Sequence, residues 1–430
     1  MNYKARREKL YKALKDEGIL LLCAGFEVHR SADECYPFSV NRNFYYLTGI
    51  DQKDSYLLVD LKTKEETLFL LETDPKKARW IGEYLDFEYA KRFAKVNNVR
   101  SIRELNDVLN EVLLSNSNIY LDLEKCVELG GLHYDEYFSN LVKSINKDAI
   151  LHDVYHEIIK LRAIKDEDEI DNIRSSIDLT KRALVEVADY LPTMLGEMEA
   201  QALFEYLIYE HFQAKPAFDT IVGAGKNSTI LHYHENRCRM EDNDVVLLDL
   251  GACRDYYSSD ISRTYPHLGM FTPLQRKIYQ IVLDANKNVI ALARPGITLK
   301  YLQEKTVEFL TERCLEAKLI KTKEEIYDVY FHSVSHHLGL DVHDPMSRDM
   351  VLEPGNVITD EPGLYFEKYG IGIRIEDDLL ITEDGCENLS KDIVKEIDEV
   401  EYLVNFGERK VHIDEEGNIT EIEDEDEEED

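Results

Sequence analysis

The stretch 245–266 constrains this chain more than any other. Val245-Val-Leu-Leu248 is a run of apolar residues that reads as a buried strand, and Asp249 stands at its end. Gly251 opens a turn, and from Tyr256 onward the chain reads as a returning strand that brings Asp260 back towards Asp249. Two carboxylates meeting among apolar side chains repel each other. Burying either as an anion costs several kcal/mol unless a cation compensates it. A fold that accommodates this stretch must therefore supply positive charge, and further ligands are expected downstream.

Three later segments supply them. Residues 331–344 hold four of the thirteen histidines, His332, His336, His337 and His343. A lone histidine among apolar residues is more often a core hydrogen-bonding group than a ligand. Four in one segment beside Gly339 favour ligation, and neutral imidazole binds a divalent ion without adding charge. The third segment, 352–365, has a Glu353-Pro-Gly355 turn, a strand over 357–359, and Glu361 in Glu-Pro-Gly. The fourth, 370–378, alternates with period two. Ile371, Ile373 and Ile375 lie on one side, and Arg374 and Glu376 share the polar face of a half-buried strand.

Charge then decides the stoichiometry. Asp249, Asp260, Glu361 and Glu376 carry four negative charges, which two divalent ions balance, with one neutral histidine completing the set. Four oxygen donors and one nitrogen favour manganese, magnesium or similar hard ions over zinc. Two such ions about 3.5 Å apart can acidify a bridging water and clamp a tetrahedral intermediate. Gly223-Ala-Gly-Lys226-Asn-Ser imitates the end of a phosphate-binding loop, but Thr220 stands where that loop needs its first glycine and Asn227 follows the lysine, so nucleotide binding is rejected.

At 430 residues the chain exceeds one ordinary core, so two domains are expected, and 44% hydrophobic content is a globular value. Residues 1–160 read as an α/β domain: helix 5–15, strands 19–23, 44–47, 55–59 and 67–71 (the last two a hairpin), helices 75–85 and 102–114, strand 119–122 and helix 131–145. Asp166-Glu-Asp-Glu169 has the form of a capping box. The apolar stripe Ile170, Ile173, Ile177, Leu184, Val187 and Leu191 then runs to Pro192. A second domain over 161–407 alternates helices (199–211, 273–293, 301–317) with short apolar strands. Residues 408–430 are expected to be a disordered acidic tail, because 421–430 is a like-charge block. Part of the net charge of −35 lies there, but the remainder is still acidic, which argues against nucleic acid and anionic membrane as partners. Seven scattered cysteines without Cys-x-x-Cys, and an apolar run at 19–24 too short for a signal core or a span, suggest a cytoplasmic protein.

With these residues in view, the chain resembles the metalloaminopeptidases of the pita-bread fold, and within them the aminopeptidase P (Xaa-Pro aminopeptidase) family. The resemblance spans nearly all of 1–407. It is carried by Ile230-Leu-His232-Tyr, Leu248-Asp249, Ser259-Asp260-Ile-Ser-Arg-Thr, Ser335-His336, Asp341-Val-His343-Asp, Glu361-Pro-Gly-Leu-Tyr365 and Arg374-Ile-Glu376-Asp-Asp. In the first half Arg30-Ser-Ala-Asp33, Tyr36-Pro-Phe38 and Asn43-Phe-Tyr-Tyr-Leu-Thr-Gly49 resemble the long bacterial type rather than dipeptidases.

The resemblance implies an α/β (α+β) fold: a creatinase-like α/β domain, then a pita-bread catalytic domain whose curved, mostly antiparallel sheet is covered by helices. It implies two divalent ions, Mn2+ by preference, one on Asp249 and Asp260 and the other on Asp260, His336, Glu361 and Glu376, with Asp260 and Glu376 bridging. A metal-bridging hydroxide would attack the carbonyl before a proline in the second position, releasing the N-terminal residue. Glu361 would act as general base, His343 as donor to the oxyanion and His232 as a substrate contact. His332, Val342 and Tyr365 would form the proline pocket, and Arg374 with Asp33 a supporting relay. A homo-oligomer, dimer or tetramer, acting on proline-containing peptides is expected. Departures are His337, where a tryptophan is expected, Asp360, where an aliphatic is expected, and a short segment between Tyr365 and Gly370. The rival readings are an Xaa-Pro dipeptidase (prolidase), a non-catalytic binding module on the same scaffold, and a metal-free creatinase-type amidinohydrolase.

Overall fold

A computed structural model describes residues 1–124, 134–211, 214–407, 411–413 and 419–421, which fall into two compact units, Met1–Arg162 and Ala163–Asp430.

In the first unit α1 (Tyr3–Ala13) precedes β1 (Ile19–Cys23), the short ribbon β2 (His29–Ser31) and β3 (Glu34–Cys35), and α2 (Arg42–Thr48). The hairpin β4 (Tyr56–Asp60) and β5 (Glu65–Leu70) follows, then α3 (Ala78–Ile81), α4 (Phe87–Ala94) and β6 (Asn98–Ser101). The unit closes with α5 (Leu105–Ser115), β7 (Asn118–Leu121), α6 (Tyr134–Ile145), β8 (Ile150–Asp153) and α7 (Tyr155–Ala163). The six-stranded sheet has the order β6-β5-β4-β1-β7-β8, with β1 antiparallel to β4 and parallel to β7. The unbroken apolar run of β1 fits its central place, since all five residues are buried. On one face Leu21, Leu58 and Phe69 pack against Leu105, Leu109 and Phe138 of α5 and α6.

Several expectations change here. The strand expected over 44–47 is the helix α2: the Asn41 side chain accepts from the Phe44 amide, and Gly49 ends the helix at φ +69°. Its aromatic content suggested a strand, but cap chemistry and burial of Phe44 and Leu47 at helical spacing prevail. The helix expected over 75–85 reduces to the single turn α3, stopped at Gly82. The parallel edge strands β6 and β8 were not expected; they are short and mostly not buried, and only their partners define them. Residues 131–133 of the helix expected from 131 lie outside the described residues.

The second unit opens with α8 (Glu167–Tyr190), started by the expected box: Asp166 accepts from the Glu169 amide and Glu169 returns the bond. Next come α9 (Glu197–Glu210), β9 (Ala214–Pro216), β10 (Ile221–Ala224), β11 (Val245–Leu250), β12 (Ala252–Arg254), β13 (Tyr257–Ser258) and β14 (Ile261–Pro266). After α10 (Pro273–Leu292) and α11 (Leu299–Glu316) the strands resume as β15 (Val357–Asp360), β16 (Gly363–Phe366), β17 (Ile371–Arg374), β18 (Asp377–Ile381) and β19 (Cys386–Asn388), and α12 (Ile397–Phe406) ends the unit's helices. Among the described residues every strand pair of this unit is antiparallel, in short ladders β10-β11-β14, β13-β12-β9, β15-β18-β19 and β16-β17. The Thr264 hydroxyl joins two of them, donating to the Arg374 carbonyl at 3.1 Å and accepting from the Arg374 amide at 3.2 Å. The expected half-buried strand over 370–378 is buried on both faces and is split at Ile375 and Glu376. Within the expected tail, β20 (Val411–Ile413) pairs with β21 (Ile419–Glu421), so pairing reaches further than the charge pattern suggested; 422–430 lie outside the described residues.

The first unit is pinned by one buried ion pair. Arg7 is fully buried and donates to Glu66 through Nε at 2.9 Å and Nη2 at 2.7 Å, and also to the Leu47 carbonyl of α2 at 2.8 Å. Glu66→Ala strands that guanidinium and is expected to cost about 3–5 kcal/mol, read as a lower urea midpoint with unchanged slope. A shift worth less than ~1 kcal/mol would show that the pair does not hold the unit.

Candidate metal centre

The hairpin from β11 to β14 sets the first two carboxylates. Its register places Asp249 opposite Ser262 and Leu250 opposite Ile261, so Asp260 enters beside Asp249. The turn needs Gly251, because a Cβ there would lie 2.0 Å from the Ser259 carbonyl oxygen. The Asp260 amide donates to Asp378 Oδ2 at 3.2 Å, and the Glu376 amide to the Ser262 carbonyl at 3.0 Å, which brings the start of β18 to the same place. The segment carrying His336 runs beside β15: the Thr359 amide donates to the His336 carbonyl at 2.9 Å, and the His336 amide to the Thr359 hydroxyl at 3.1 Å. The Glu361 amide donates to the Val334 carbonyl at 2.9 Å and so draws Glu361 alongside.

Four separate segments thus converge. Asp249, Asp260 and Glu376 bring carboxylate oxygens within 4.8 Å of one another, as do the ligand atoms of His336, Glu361 and Glu376, and those of Asp260, His336 and His343. The overlapping groups contain Asp249, Asp260, His336, Glu361 and Glu376, with His343 at the edge. Burial and the neighbouring Asp249, Asp378 and Glu361 carboxylates push Asp260 well above the usual carboxylate range. Burial and Asp260, Glu361 and Asp249 do the same to Glu376, and burial raises Glu361.

The donor set fits divalent cations. His336 Nδ1 lies 3.0 Å from the His337 carbonyl, which can only accept, so the proton resides there. Nε2 then turns its lone pair between Asp260 Oδ2 at 3.3 Å and Glu361 Oε1 at 3.6 Å, three donor atoms close enough to share one cation once both carboxyls are ionised. Buried Asp249 Oδ1 has no hydrogen-bond partner. Its other oxygen is held by Arg374 Nη2 at 2.5 Å, which leaves Oδ1 as the open ligand atom.

Arg374 orders the surroundings. Its Nε donates to the Ser262 hydroxyl at 2.7 Å, that hydroxyl donates to Glu376 Oε2 at 2.6 Å, and Nη1 donates to the Tyr365 hydroxyl at 3.0 Å. The Tyr365 hydroxyl donates to His332 Nε2 at 2.9 Å, while His332 Nδ1 donates to the Ser333 carbonyl at 2.8 Å. Ser262 escaped the sequence reading, although its place two residues after Asp260 on a strand was a usable signal. Asp378 also escaped it, as the last of three consecutive acids of which only Glu376 was singled out.

A cavity of about 640 Å³ opens over the carboxylates. His232, His332, His336 and His343 line it, and Phe331 adds an apolar wall that the sequence reading missed. Val342 and Tyr365 do not line it; Tyr365 sits behind His332 and supports it. Desolvation in the cavity, with His336 and His232 nearby, pushes His343 down to about 4, and burial with Arg374 pushes His332 down to about 3, so both are neutral near pH 7. The departure His337 also faces the cavity; it is buried, neither ring nitrogen has a hydrogen-bond partner, and burial with Lys165 holds it down at about 3. The departure Asp360 turns away from the ligands and accepts from Asn286 Nδ2 at 3.0 Å. Asp33 lies in the first unit, exposed in the turn between β2 and β3. Lys226 of the rejected phosphate-loop imitation is a surface side chain near Glu367.

Comparison with known proteins identifies the family. The profile of metallopeptidase family M24 matches residues 171–383, and that of the aminopeptidase P N-terminal domain residues 3–120. The Xaa-Pro aminopeptidase of Escherichia coli K12 is 31% identical over 94% of this chain and 97% of its own length. That of Haemophilus influenzae is 32% identical over the same shares. The structure of Escherichia coli aminopeptidase P with the inhibitor Pro-Leu matches with a TM-score of 0.87 at 31% identity, covering 94% of this chain and 97% of that one. A Bacillus anthracis structure described as an aminopeptidase P candidate reaches 0.90 at 39% identity, covering 94% and 99%. The likeness takes in both units, and by it the chain belongs to the aminopeptidase P group of metallopeptidase family M24, the peptide-hydrolysing fold expected from its motifs.

Proposed function

We propose that this protein releases the N-terminal residue from peptides with proline in the second position, using two divalent ions held by Asp249, Asp260, His336, Glu361 and Glu376. The observation that carries the reading is the convergence of those five side chains around an unpartnered Asp249 Oδ1. Asp249, Asp260 and Glu376 would hold one ion, and Asp260, His336, Glu361 and Glu376 the other. Bound there, two ions supply an acidified water and polarise the scissile carbonyl. Four acids and one imidazole favour Mn2+; the Escherichia coli relative has been solved in a zinc-substituted form with product.

The remaining chemistry falls to the chain. Glu361, beside the attacking water in this reading, takes its proton and delivers it to the proline nitrogen. Neutral His343 at the cavity edge donates to the developing oxyanion. His232 contacts the peptide, and His332, oriented by Tyr365, meets the proline side together with Phe331. Val342, which does not line the cavity, is assigned to the same proline side in this reading. Proline has no amide N–H to recognise, so shape rather than a donor must select it. This reading keeps Asp33 in the supporting relay and the protein as a cytoplasmic homo-oligomer. The match of the first unit to the aminopeptidase P N-terminal domain favours this activity over an Xaa-Pro dipeptidase.

Asp260→Ala is expected to lower kcat/KM on Xaa-Pro-Yaa peptides by more than the roughly 100-fold typical of losing an outer contact, with loss of bound Mn2+ by elemental analysis. Turnover of Xaa-Pro dipeptides without turnover of the tripeptides would instead establish the dipeptidase. In the metal-free protein, Asp260 and Glu376 retain protons on folding that the unfolded chain releases. Its stability is therefore expected to fall as pH rises through and above the ordinary carboxylate range, and added Mn2+ to remove that slope and raise the melting midpoint. A metal-free midpoint that climbs over this interval would contradict the proposed charge balance.

A further inference from the structure

Glu197 is the first residue of α9 and is completely buried, yet no lysine or arginine pairs with it among the described residues. Four donors meet its carboxylate instead. Oε1 accepts from the Ala224 amide at 3.0 Å and Asn227 Nδ2 at 2.8 Å; Oε2 accepts from the Tyr233 hydroxyl at 2.9 Å and the Cys238 amide at 2.8 Å. The Glu197 amide also donates to the Cys238 carbonyl at 3.1 Å. Between these anchors the chain runs from the end of β10 through 225–238, and its 230–238 part contains neither helix nor strand. His232 projects from that part into the cavity, next to the anchored Tyr233. A segment without ladder hydrogen bonds keeps its shape only through such side-chain contacts.

We infer that Glu197 is a positioning residue for His232, clamping both ends of the loop that presents this imidazole to the peptide. The inference rests on the role given to His232 above. Its physical core is that each carboxylate oxygen holds one backbone N–H. The Tyr233 hydroxyl can rotate and the Asn227 amide can flip, but a backbone N–H cannot turn into an acceptor. Glutamine at this position therefore leaves the Ala224 or the Cys238 amide without a partner in either orientation.

The test is a double-mutant cycle in the Mn2+-loaded protein, with kcat/KM measured on an Xaa-Pro-Yaa peptide. Glu197→Gln is expected to lower kcat/KM roughly ten-fold at unchanged metal content, and to speed amide hydrogen exchange over 224–238. In a His232→Ala background the same change is expected to cost less than about two-fold. Tyr233→Phe removes one donor while sparing both backbone bonds; a smaller loss with the same non-additivity is expected, and it carries the test if Glu197→Gln does not fold. A full ten-fold loss in the His232→Ala background, or no loss with His232 intact, overturns the inference while leaving the role of His232 standing. A His232→Ala protein as active as its parent removes that role, and this inference with it.

Discussion

The repulsion among buried carboxylates at the centre of the second unit governs the structure around it. Asp260, Glu376 and Asp378 are all but inaccessible and Asp249 nearly so, and they stand within reach of one another. An apolar core would expel such a group or protonate it, as the raised pKa values of Asp260 and Glu376 express. Among the described residues the cation bound directly to a ligand carboxylate is Arg374, and it holds a single oxygen of Asp249. The rest of the deficit corresponds to divalent ions, whose charge inverts the local preference and makes the ionised forms the stable ones. A centre of this kind contributes to stability only when loaded, and it couples folding to metal supply.

Polar side chains are sorted into layers by the alternation of the strands. Thr359 and Glu361 face the ligands, whereas Asp360 between them points back to Asn286. Asp377 likewise leaves the site that Glu376 enters and is bound by Arg263 Nη2 at 2.7 Å and by Lys395. Against the cost of burial, those two cations hold the Asp377 carboxyl below its usual range. The result is a compensated layer behind an uncompensated one. The acid at 360, unexpected for the family, therefore adds no charge to the ligand set.

How much of this was legible in the chain differs from residue to residue. The apolar run ending at Asp249, the clustered histidines and the alternation at 371–376 are local signals, and each marks a side chain that the fold brings into one place. The capping box at Asp166 is equally local, and it starts α8 as expected. Ser262 offered only its spacing from Asp260 as a signal, and Glu197 offered none: a serine on a strand and a glutamate opening a helix look ordinary until the groups they bind come from 112 and from 27 to 41 positions away. The helix at 42–48 was misread because its aromatic content resembles a strand, and its Asn41 cap was overlooked. Edge strands such as β8 have too little apolar content to announce themselves.

The sequence by itself determined which side chains could bind metal, because the charge of four acids placed in apolar surroundings is a property of composition and spacing. It also determined the family, through motifs that span both units. Only the tertiary structure decided which oxygen of Asp249 is open, which nitrogen of His336 carries the proton, and that Tyr365 backs His332 rather than lining the cavity. Those choices depend on hydrogen bonds between residues far apart in the chain, whose directions no local pattern encodes.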